Sequence, residues 1–345
     1  MDRSGIAAAT ATTLVLSLAV AGVAQAHGND GNGQGPKLQA RSDAYHTGEG
    51  QRLTVRGDGI LGNDKGSPVT LVAHSAPAHG SLTLNQDGTF GYTPAAGFTG
   101  TDSFTYTVSD AVHLYQTDLP PLATIGGVKI TGGAFGSSLA PVPGSKDEFY
   151  GLTDRGPNVD GPDGNPVEPI PAFDPEIGKF KLVGTTAIEE RVIPLRAADG
   201  TPFSGRVNTQ APTGETIEDL NGNVLPADPN GYDSEGLVAL PDGTFWVSDE
   251  YGPFITHFDR NGRQLQRLSP FNGALPAELA NRVPNKGMEG LTITPDHSTL
   301  VGIMQSALQQ PDLTKKPANV APVRIVTYDL RTHATHEYLY LLDDP

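Results

Sequence analysis

Four carboxylates frame one short stretch of the chain, Tyr232–Gly252, and residues of this type can bind a hard cation or transfer a proton. Asp233 and Glu235 stand before a short apolar run, and Asp249 and Glu250 stand after the next one. The Pro-Asp-Gly sequence between the runs is typical of a tight turn, because aspartate and glycine tolerate the backbone conformations that a hairpin needs. A hairpin returns the chain to its starting edge, so we expect the four carboxylates to lie along one rim of a sheet.

The same unit recurs twice in the sequence. Met288–Gln305 repeats the Glu-Gly-Leu start and the Pro-Asp turn, so that Glu289 corresponds to Glu235. Ser138–Pro157 is a weaker copy, and Asp154 follows its second apolar run. Repeats of roughly 40 to 55 residues built from short strands predict β-propeller blades. The alternative is an antiparallel meander that is not a propeller.

Composition narrows the class of protein and of partner. The chain has 345 residues with 42 glycines and 29 prolines, which indicates a turn-rich, all-β protein. It has no cysteine, which excludes disulfides, thiolate zinc sites and a cysteine nucleophile. Its formal charge of −16 argues against binding to a nucleic-acid backbone or to an anionic membrane surface.

The first 26 residues predict a signal peptide. Arg3 supplies a positive charge, an apolar run centred on Leu14–Val23 follows, and Ala24-Gln25-Ala26 has the small-x-small pattern of a cleavage site. An uncleaved membrane anchor is the alternative. No other stretch is long and apolar enough to span a bilayer. We therefore expect a mature protein that begins near His27 and is secreted, periplasmic or displayed at the cell surface.

A small β-sandwich is predicted to follow the Gly/Asn-rich linker 27–37 and to occupy residues 38–111. Short alternating strands separated by turn residues predict such a sandwich. The segments Gly59–Asp64, His79–Pro94 and Gly97–Asp110 resemble the cadherin-like, immunoglobulin-type repeat of bacterial surface and secreted proteins. The resemblance implies a spacer or adhesive unit that contacts a cell surface or matrix and is not catalytic.

The remaining residues, 112–345, carry a second set of motifs: Thr153–Asn158, Asp233–Leu237, Ser248–Pro253, Asn285–Leu291 and Met304–Leu308. These motifs resemble the "esterase-like activity of phytase" family of phytase-like propeller proteins. The resemblance implies an exported hydrolase of small-molecule ester or phosphoester substrates. Members of that family continue beyond the position where this chain stops. We therefore expect an incomplete, C-terminally truncated propeller of about four blades with unpaired strand edges.

Carboxylates are the candidate catalytic groups, because the sequence lacks the motifs of common hydrolases. The sequence contains no G-x-S-x-G nucleophile elbow and no HExxH pair. Acids at the start of successive blades would converge on the propeller axis, where a calcium ion takes six to eight oxygen ligands. We predict a calcium ion held by Glu235 and Glu289, with Asp154 and Asp249 as ligands or as hydrogen-bonding partners of ligands. Such an ion would polarise a phosphoryl or carbonyl oxygen and acidify a water molecule.

Other polar residues near these acids are predicted to complete the site. Glu250 is the predicted general base. Arg155 and Lys286 would neutralise a negatively charged substrate, and Asn158 and Gln305 would orient it. The alternative is structural, since acids beside propeller strands often cap turns or pair with an arginine of the next blade.

Three functions are compatible with these residues. The favoured one is metal-assisted hydrolysis of ester or phosphomonoester bonds by an exported enzyme. The first alternative is a non-catalytic binding protein of the cell surface or matrix, which the adhesive N-terminal module favours. The second alternative is a calcium-dependent lactonase.

Overall fold

The structure is a computed structural model, and it describes residues 13–18, 38–66, 69–109, 113–131, 135–212, 214–310, 316–317, 320 and 322–342. The chain divides into two compact units, Met1–Leu114 and Tyr115–Pro345. Both units are built from β-strands, as the composition predicts. The described ranges contain two short 3-10 helices, Gly59–Leu61 and Ala277–Asn281, and no α-helix. Neither helical turn has the length or the apolar content of a membrane span.

The N-terminal unit is a small β-sandwich of the immunoglobulin type. Its strands are β1 (Thr13–Leu18), β2 (Ala44–Gly48), β3 (Leu53–Val55), β4 (Thr70–His74), β5 (Gly80–Leu84), β6 (Phe90–Pro94), β7 (Thr101–Phe104) and β8 (Tyr106–Ser109). They form sheets in the orders β2-β1-β7, β3-β6-β5 and β4-β8. Alternate side chains of these strands bury an aromatic core that includes Phe90, Tyr92, Phe104 and Tyr106. The buried Asp102 accepts a hydrogen bond of 2.7 Å from the Tyr92 hydroxyl.

Strand β1 lies inside the segment that the sequence predicts to be a signal peptide. Its backbone pairs antiparallel with β2 and parallel with β7. The other residues of the predicted signal peptide, and all of the linker 27–37, lie outside the described residues. Cleavage after Ala26 would remove β1 and leave a gap between two strands. The signal peptide stays a prediction, and it can be tested directly.

We expect secretion to remove residues 1–26, because the small residues Ala24 and Ala26 fit the cleavage pattern. N-terminal sequencing of protein recovered from the medium of an expressing host should begin at His27. Replacing Ala26 with tyrosine should block the cut and serves as the control. Recovery of an exported wild-type chain that still carries Thr13–Leu18 would contradict the prediction and make β1 a permanent strand of the sandwich.

The C-terminal unit contains three four-stranded antiparallel sheets, each a blade of a propeller. Blade 1 comprises β11 (Ser138–Pro141), β12 (Glu148–Leu152), β15 (Glu176–Val183) and β16 (Thr186–Pro194). Blade 2 comprises β17 (Ser234–Ala239), β18 (Phe245–Asp249), β19 (Phe254–Phe258) and β20 (Gln264–Leu268). Blade 3 comprises β21 (Met288–Ile293), β22 (Thr299–Met304), β23 (Pro322–Asp329) and β24 (Thr335–Leu341). Two further pairs are β9 (Pro121–Ile125) with β10 (Val128–Thr131), and β13 (Val159–Asp160) with β14 (Pro166–Val167).

The three repeats found in the sequence correspond to the first two strands of the three blades. The described part of the chain therefore has three complete blades and the β9–β10 pair where about four blades are expected from the sequence. The prediction of an all-β protein with propeller-type sheets is confirmed at this level. The truncation of the propeller stays a prediction.

The middle blade is buried on both faces, and its side chains alternate between two cores. Phe245 and Val247 of β18 pack with blade 1, in a core that includes Ile177 and Ile193. Trp246, which lies between them on the strand, packs with blade 3 in a second core. This arrangement follows from the two-residue period of a strand, which sends neighbouring side chains to opposite faces. Blade 2 is therefore the element that positions the other two.

Candidate functional site

The β17–β18 hairpin forms as its sequence predicts. Its turn is closed by Asp242, whose carboxylate accepts hydrogen bonds from the Thr244 amide (2.9 Å) and hydroxyl (2.7 Å). At the opposite end of the hairpin the amide of Glu250 donates to the carbonyl of Asp233 over 2.8 Å. The residues before β17 and after β18 therefore lie side by side at one rim of blade 2.

Three carboxylates converge at this rim. Asp233, Glu235 and Glu250 each offer one oxygen, and these oxygens lie within 4.8 Å of one another. Asp233 and Glu250 are 3% and 4% exposed, and Glu235 is partly buried. A bulge between Ser234 and Leu237 interrupts the β17–β18 register at the position of Glu235. We refer to Asp233, Glu235 and Glu250 as the carboxylate cluster.

The positively charged side chain of Arg155 is buried against the carboxylate cluster. The backbone amide of Arg155 donates to Asp233 Oδ1 over 3.2 Å, and its side-chain Nε lies 3.8 Å from Asp233 Oδ2. The guanidinium also donates to the Tyr251 hydroxyl and lies 3.7 Å from Glu215 Oε2. Burial lowers the pKa of Arg155, but Tyr251, Asp233 and Glu215 together raise it by more, so the side chain is a permanent positive charge.

Burial and mutual repulsion shift the titration of the cluster toward neutral and basic pH. Burial, together with the charge of Asp233, raises the pKa of Glu235 to about 9. Burial, together with the charge of Glu289, raises the pKa of Glu250 to about 7. Burial also raises the pKa of Asp233 well above its usual value, although Arg155 opposes the shift. Without a cation the cluster therefore holds protons at neutral pH, and a divalent cation would replace them.

Asn285 approaches the cluster from the loop that leads into blade 3. Its backbone has φ = 54°, a left-handed conformation that asparagine tolerates better than most residues. Its side-chain amide nitrogen donates to Glu250 Oε2 (3.0 Å) and to Asp233 Oδ2 (3.1 Å) in the orientation that hydrogen bonding favours without a cation. With the amide turned over, its oxygen would face the same two carboxylates.

The loop can come this close because it contains Gly287. A Cβ atom at this position would lie 2.0 Å from the carbonyl oxygen of Glu250, so a side chain there would force the loop away from blade 2. The carbonyl of Gly287 in turn accepts a hydrogen bond of 2.8 Å from the amide of Gln305. Blade 3 is thereby held against the rim of blade 2 that carries the cluster.

The structure places the four predicted metal ligands in different positions. Glu235 is in the carboxylate cluster. Glu289 is exposed on β21, outside the cluster, but its charge raises the pKa values of Glu235 and Glu250. Asp249 is fully buried and serves as a cap, because it accepts hydrogen bonds from the amides of Asp233 (2.7 Å) and Gly252 (2.5 Å). Asp154 also accepts a local hydrogen bond, and its charge contributes to the raised pKa of Glu235.

The other predicted site residues are also distributed unevenly. Glu250, predicted as the general base, lies within the cluster, and Arg155 is buried beside it. Lys286 is exposed, and its charge partly opposes the raised pKa of Glu289. Asn158 and Gln305 are exposed, and the Asn158 amide donates to the carbonyl of Gly156. The sequence prediction of ligands and substrate-binding residues stays a prediction for all of them.

The sequence places Asp233 on the predicted rim without a specific ligand role, and it indicates no role for Asn285, Tyr251 and Glu215. A signal existed for Asp233, because it stands two residues before Glu235 in a strand-like segment, and such residues share a face. The other three residues reach the site through contacts between distant segments, which no local pattern reports.

Comparison with known proteins gives two matches to family models. Residues 130–345 match the model described as "Phytase-like: Esterase-like activity of phytase". Residues 34–118 match a bacterial Ig domain. The second match confirms the immunoglobulin-type fold expected for the N-terminal unit.

Individual relatives are more distant. An uncharacterized secreted protein of Arthroderma benhamiae is 32% identical, over a region that covers 43% of this chain and 36% of the relative. The chain thus spans little more than a third of that relative's length. A GH74 enzyme of Niastella koreensis is similar at 15% identity and a TM-score of 0.27, covering 58% of this chain and 29% of the other. A protein from Lactobacillus plantarum is similar at 15% identity and a TM-score of 0.25, covering 58% and 54% of the two chains.

Proposed function

The chain belongs to the esterase-like activity of phytase family, and from this membership we propose that it is a secreted, calcium-dependent hydrolase of ester or phosphomonoester bonds. The single observation that carries the proposal is the carboxylate cluster, which gathers three acids at the rim where successive blades begin. Secretion is supported by the signal-like N-terminus and by the description of the Arthroderma benhamiae relative as secreted.

The donor set of the cluster fits a hard divalent cation. All of its ligands are oxygens, which suit calcium and magnesium rather than softer metals. Calcium–oxygen distances are about 2.3–2.6 Å, so two ligands on opposite sides of the ion are roughly 5 Å apart. Oxygens within 4.8 Å of one another satisfy this limit without rearrangement. We propose calcium because its coordination number and geometry are flexible, whereas magnesium requires a near-ideal octahedron.

Asn285 supplies a second reason to place a cation here. Its carboxamide lies 3.0–3.1 Å from two cluster oxygens. A cation would favour the orientation in which the amide oxygen faces inward as a fourth ligand, next to the carboxylates of Asp233 and Glu250. The Asn285 side chain can therefore donate hydrogen bonds to the carboxylates when no ion is bound. When an ion is bound, its amide oxygen can coordinate the ion.

The residues around the cluster divide the remaining tasks. A bound calcium ion would polarise the scissile carbonyl or phosphoryl group and lower the pKa of a water molecule. Glu289 is a carboxylate outside the cluster whose charge acts on Glu235 and Glu250, and we assign to it the removal of a proton from the attacking water. Arg155 partly offsets the burial that raises the pKa of Asp233 and positions its carboxylate through the backbone hydrogen bond and the ion pair. Lys286 is exposed at the same rim and can stabilise the negative charge that develops on the substrate oxygen.

The bacterial Ig domain favours a second candidate, a non-catalytic protein that binds a cell surface or matrix. In that case the carboxylate cluster would bind calcium for stability alone. The two candidates differ in one observable, which is turnover of a small substrate.

Calcium binding is tested first, by thermal melting. We expect saturating calcium to raise the melting midpoint of the C-terminal unit by several degrees, because a ligand at 100 times its Kd adds about 2.7 kcal/mol of stability. Glu235→Gln should abolish the shift. Asp118→Asn, which removes one exposed negative charge outside the site, should keep it. A wild-type midpoint that does not respond to calcium would remove the metal from the proposal.

Catalysis is tested separately, with nitrophenyl esters, nitrophenyl phosphate and a lactone in the presence of calcium. We expect wild-type turnover of an ester or phosphate. Glu289→Gln should keep the calcium-induced shift and lose about 10²–10⁴-fold in kcat, the usual contribution of a general base. Calcium binding without turnover of any substrate would favour the binding protein, and turnover of the lactone alone would favour a lactonase.

A further inference from the structure

An apolar cleft lies further along the strands whose first residues include Glu235 and Glu289. It has a volume of about 710 Å³, within the usual size range of small-molecule sites. Its walls are the innermost strands of the three blades, β11, β17 and β21, with the turns that follow them. The lining side chains are mostly aliphatic and include Leu139, Leu237, Ala239, Leu291 and Ile293. We call this space the inner cleft.

The carboxylate cluster and the inner cleft share the same strands. Glu235 stands two residues before Leu237 on β17, and Glu289 stands two residues before Leu291 on β21. Two residues of strand span about 7 Å. The two strands touch at Gly236, where a Cβ atom would lie 2.6 Å from Leu291 Cβ. Both strands therefore have their acids at one end and their aliphatic side chains further along.

One polar side chain that borders the cleft, that of Ser138, has a hydrogen-bond partner. Ser138 accepts a hydrogen bond of 3.1 Å at its hydroxyl from the Leu237 amide, which ties β11 to β17. The serine hydroxyl is therefore a structural contact between the two strands. The first aliphatic side chains of the cleft on β17 and β21, Leu237 and Leu291, stand two residues after Glu235 and Glu289.

The charges at the rim do not suit a polyanionic substrate. Arg155 is already engaged by Asp233, Glu215 and the Tyr251 hydroxyl. Lys286 is the other cation whose charge acts on the cluster carboxylates. A substrate with several phosphates would be repelled by the surrounding acids, whereas a neutral ester would avoid this cost.

We propose that the substrate is a carboxylic ester with a medium-length aliphatic acyl chain, whose carbonyl lies at the carboxylate cluster and whose chain fills the inner cleft. This proposal rests on the proposed hydrolase function and narrows it. In the reaction the oxygen of water forms a bond to the acyl carbon and the bond from that carbon to the alkoxy oxygen breaks. One proton of the water passes to the departing alcohol, and the products are the carboxylic acid and the alcohol.

The first test compares nitrophenyl octanoate with nitrophenyl acetate and nitrophenyl phosphate, using the full chain with calcium. Each buried methylene contributes about 0.8 kcal/mol, so kcat/KM should favour octanoate over acetate by at least tenfold. Thr292 is exposed and lines the inner cleft, so Thr292→Trp should fill the cleft and lower the octanoate-to-acetate ratio by roughly tenfold. Leu265→Trp, at an exposed apolar position of β20 that does not line the cleft, should leave the ratio unchanged.

A second measurement needs no turnover. Octanamide, a neutral analogue that resists hydrolysis, should bind at least tenfold more tightly than acetamide in calorimetry, and Thr292→Trp should remove the difference. Selective octanamide binding without turnover of any ester would support the cleft assignment while the hydrolase proposal fails. Turnover of esters with equal kcat/KM for octanoate and acetate, unchanged by Thr292→Trp, would overturn the cleft assignment while the hydrolase proposal stands. A preference for nitrophenyl phosphate over both esters would also overturn it.

Discussion

Arg155→Ala is expected to lower the free energy of unfolding of the C-terminal unit by about 3–5 kcal/mol. The substitution leaves the carboxylate of Asp233, which is 3% exposed, beside Glu235 and Glu250 without its buried cation. Removing one partner of a buried ion pair is costly because the other charge stays out of water and uncompensated. The loss should be larger at pH 8 than at pH 5, since protonation of Asp233 relieves it.

Urea unfolding followed by tryptophan fluorescence measures this loss. The chain has a single tryptophan, Trp246, which is buried in the C-terminal unit and stacks on His257 at a centroid distance of 4.3 Å. Its signal therefore reports the unit that contains Arg155. Arg331→Ala, at an exposed arginine, is the control and should change stability by less than about 0.5 kcal/mol.

A double-mutant cycle separates the ion pair from other effects of the truncation. Combining Arg155→Ala with Asp233→Asn removes both charges, so the double variant should lose less than the sum of the two single variants. Strict additivity would contradict a direct interaction between Arg155 and Asp233. A loss below 1 kcal/mol for Arg155→Ala alone would show that the pair contributes little to the fold.

The second large effect is on the pH dependence of stability. The pKa of Glu250 is raised from 4.5 to about 7 by burial, so the folded state binds more protons than the unfolded state between these two values. Stability contributed by this group is therefore present near pH 4.5 and is lost as pH rises through 7. The raised pKa of Glu250 should lower the free energy of unfolding by about 3 kcal/mol as the pH rises across this range. Glu235, with a pKa of about 9, extends the same trend to higher pH.

Metal-free protein should therefore be less stable at pH 8 than at pH 5, the reverse of what a protein with salt-bridged, low-pKa carboxylates shows. Urea midpoints measured in chelator across this range test the sign. Glu250→Gln should flatten the dependence, whereas Asp118→Asn should not. Calcium should restore stability at pH 8, because the ion replaces the missing protons. A midpoint that rises with pH in chelator would contradict the raised pKa values on which this prediction depends.

Local sequence patterns predict the blades well. The repeated hairpins at 138–157, 232–252 and 288–305 form the first two strands of the three blades, because hydrophobic alternation and turn residues act over short distances. The alternation also accounts for the middle blade, where Phe245 and Trp246 point to different cores.

Patterns of this kind do not determine which acids converge. Asp249 and Glu250 are adjacent in sequence, yet Asp249 caps backbone amides and Glu250 joins the carboxylate cluster. The difference comes from the geometry at the end of β18 and from the loop that carries Asn285, which belongs to the next blade. A bulge after Ser234 further alters the register that simple alternation would assign to Glu235. Contacts between blades decide the site, and one sequence read alone does not contain them.

The burial of blade 2 on both faces has a consequence for how the C-terminal unit comes apart. Neither outer blade can detach without exposing one of the two aromatic and aliphatic cores that the middle blade completes. Local unfolding of one blade therefore exposes a core that it shares with its neighbour and destabilises that neighbour as well. The three blades should unfold as one cooperative unit rather than in succession.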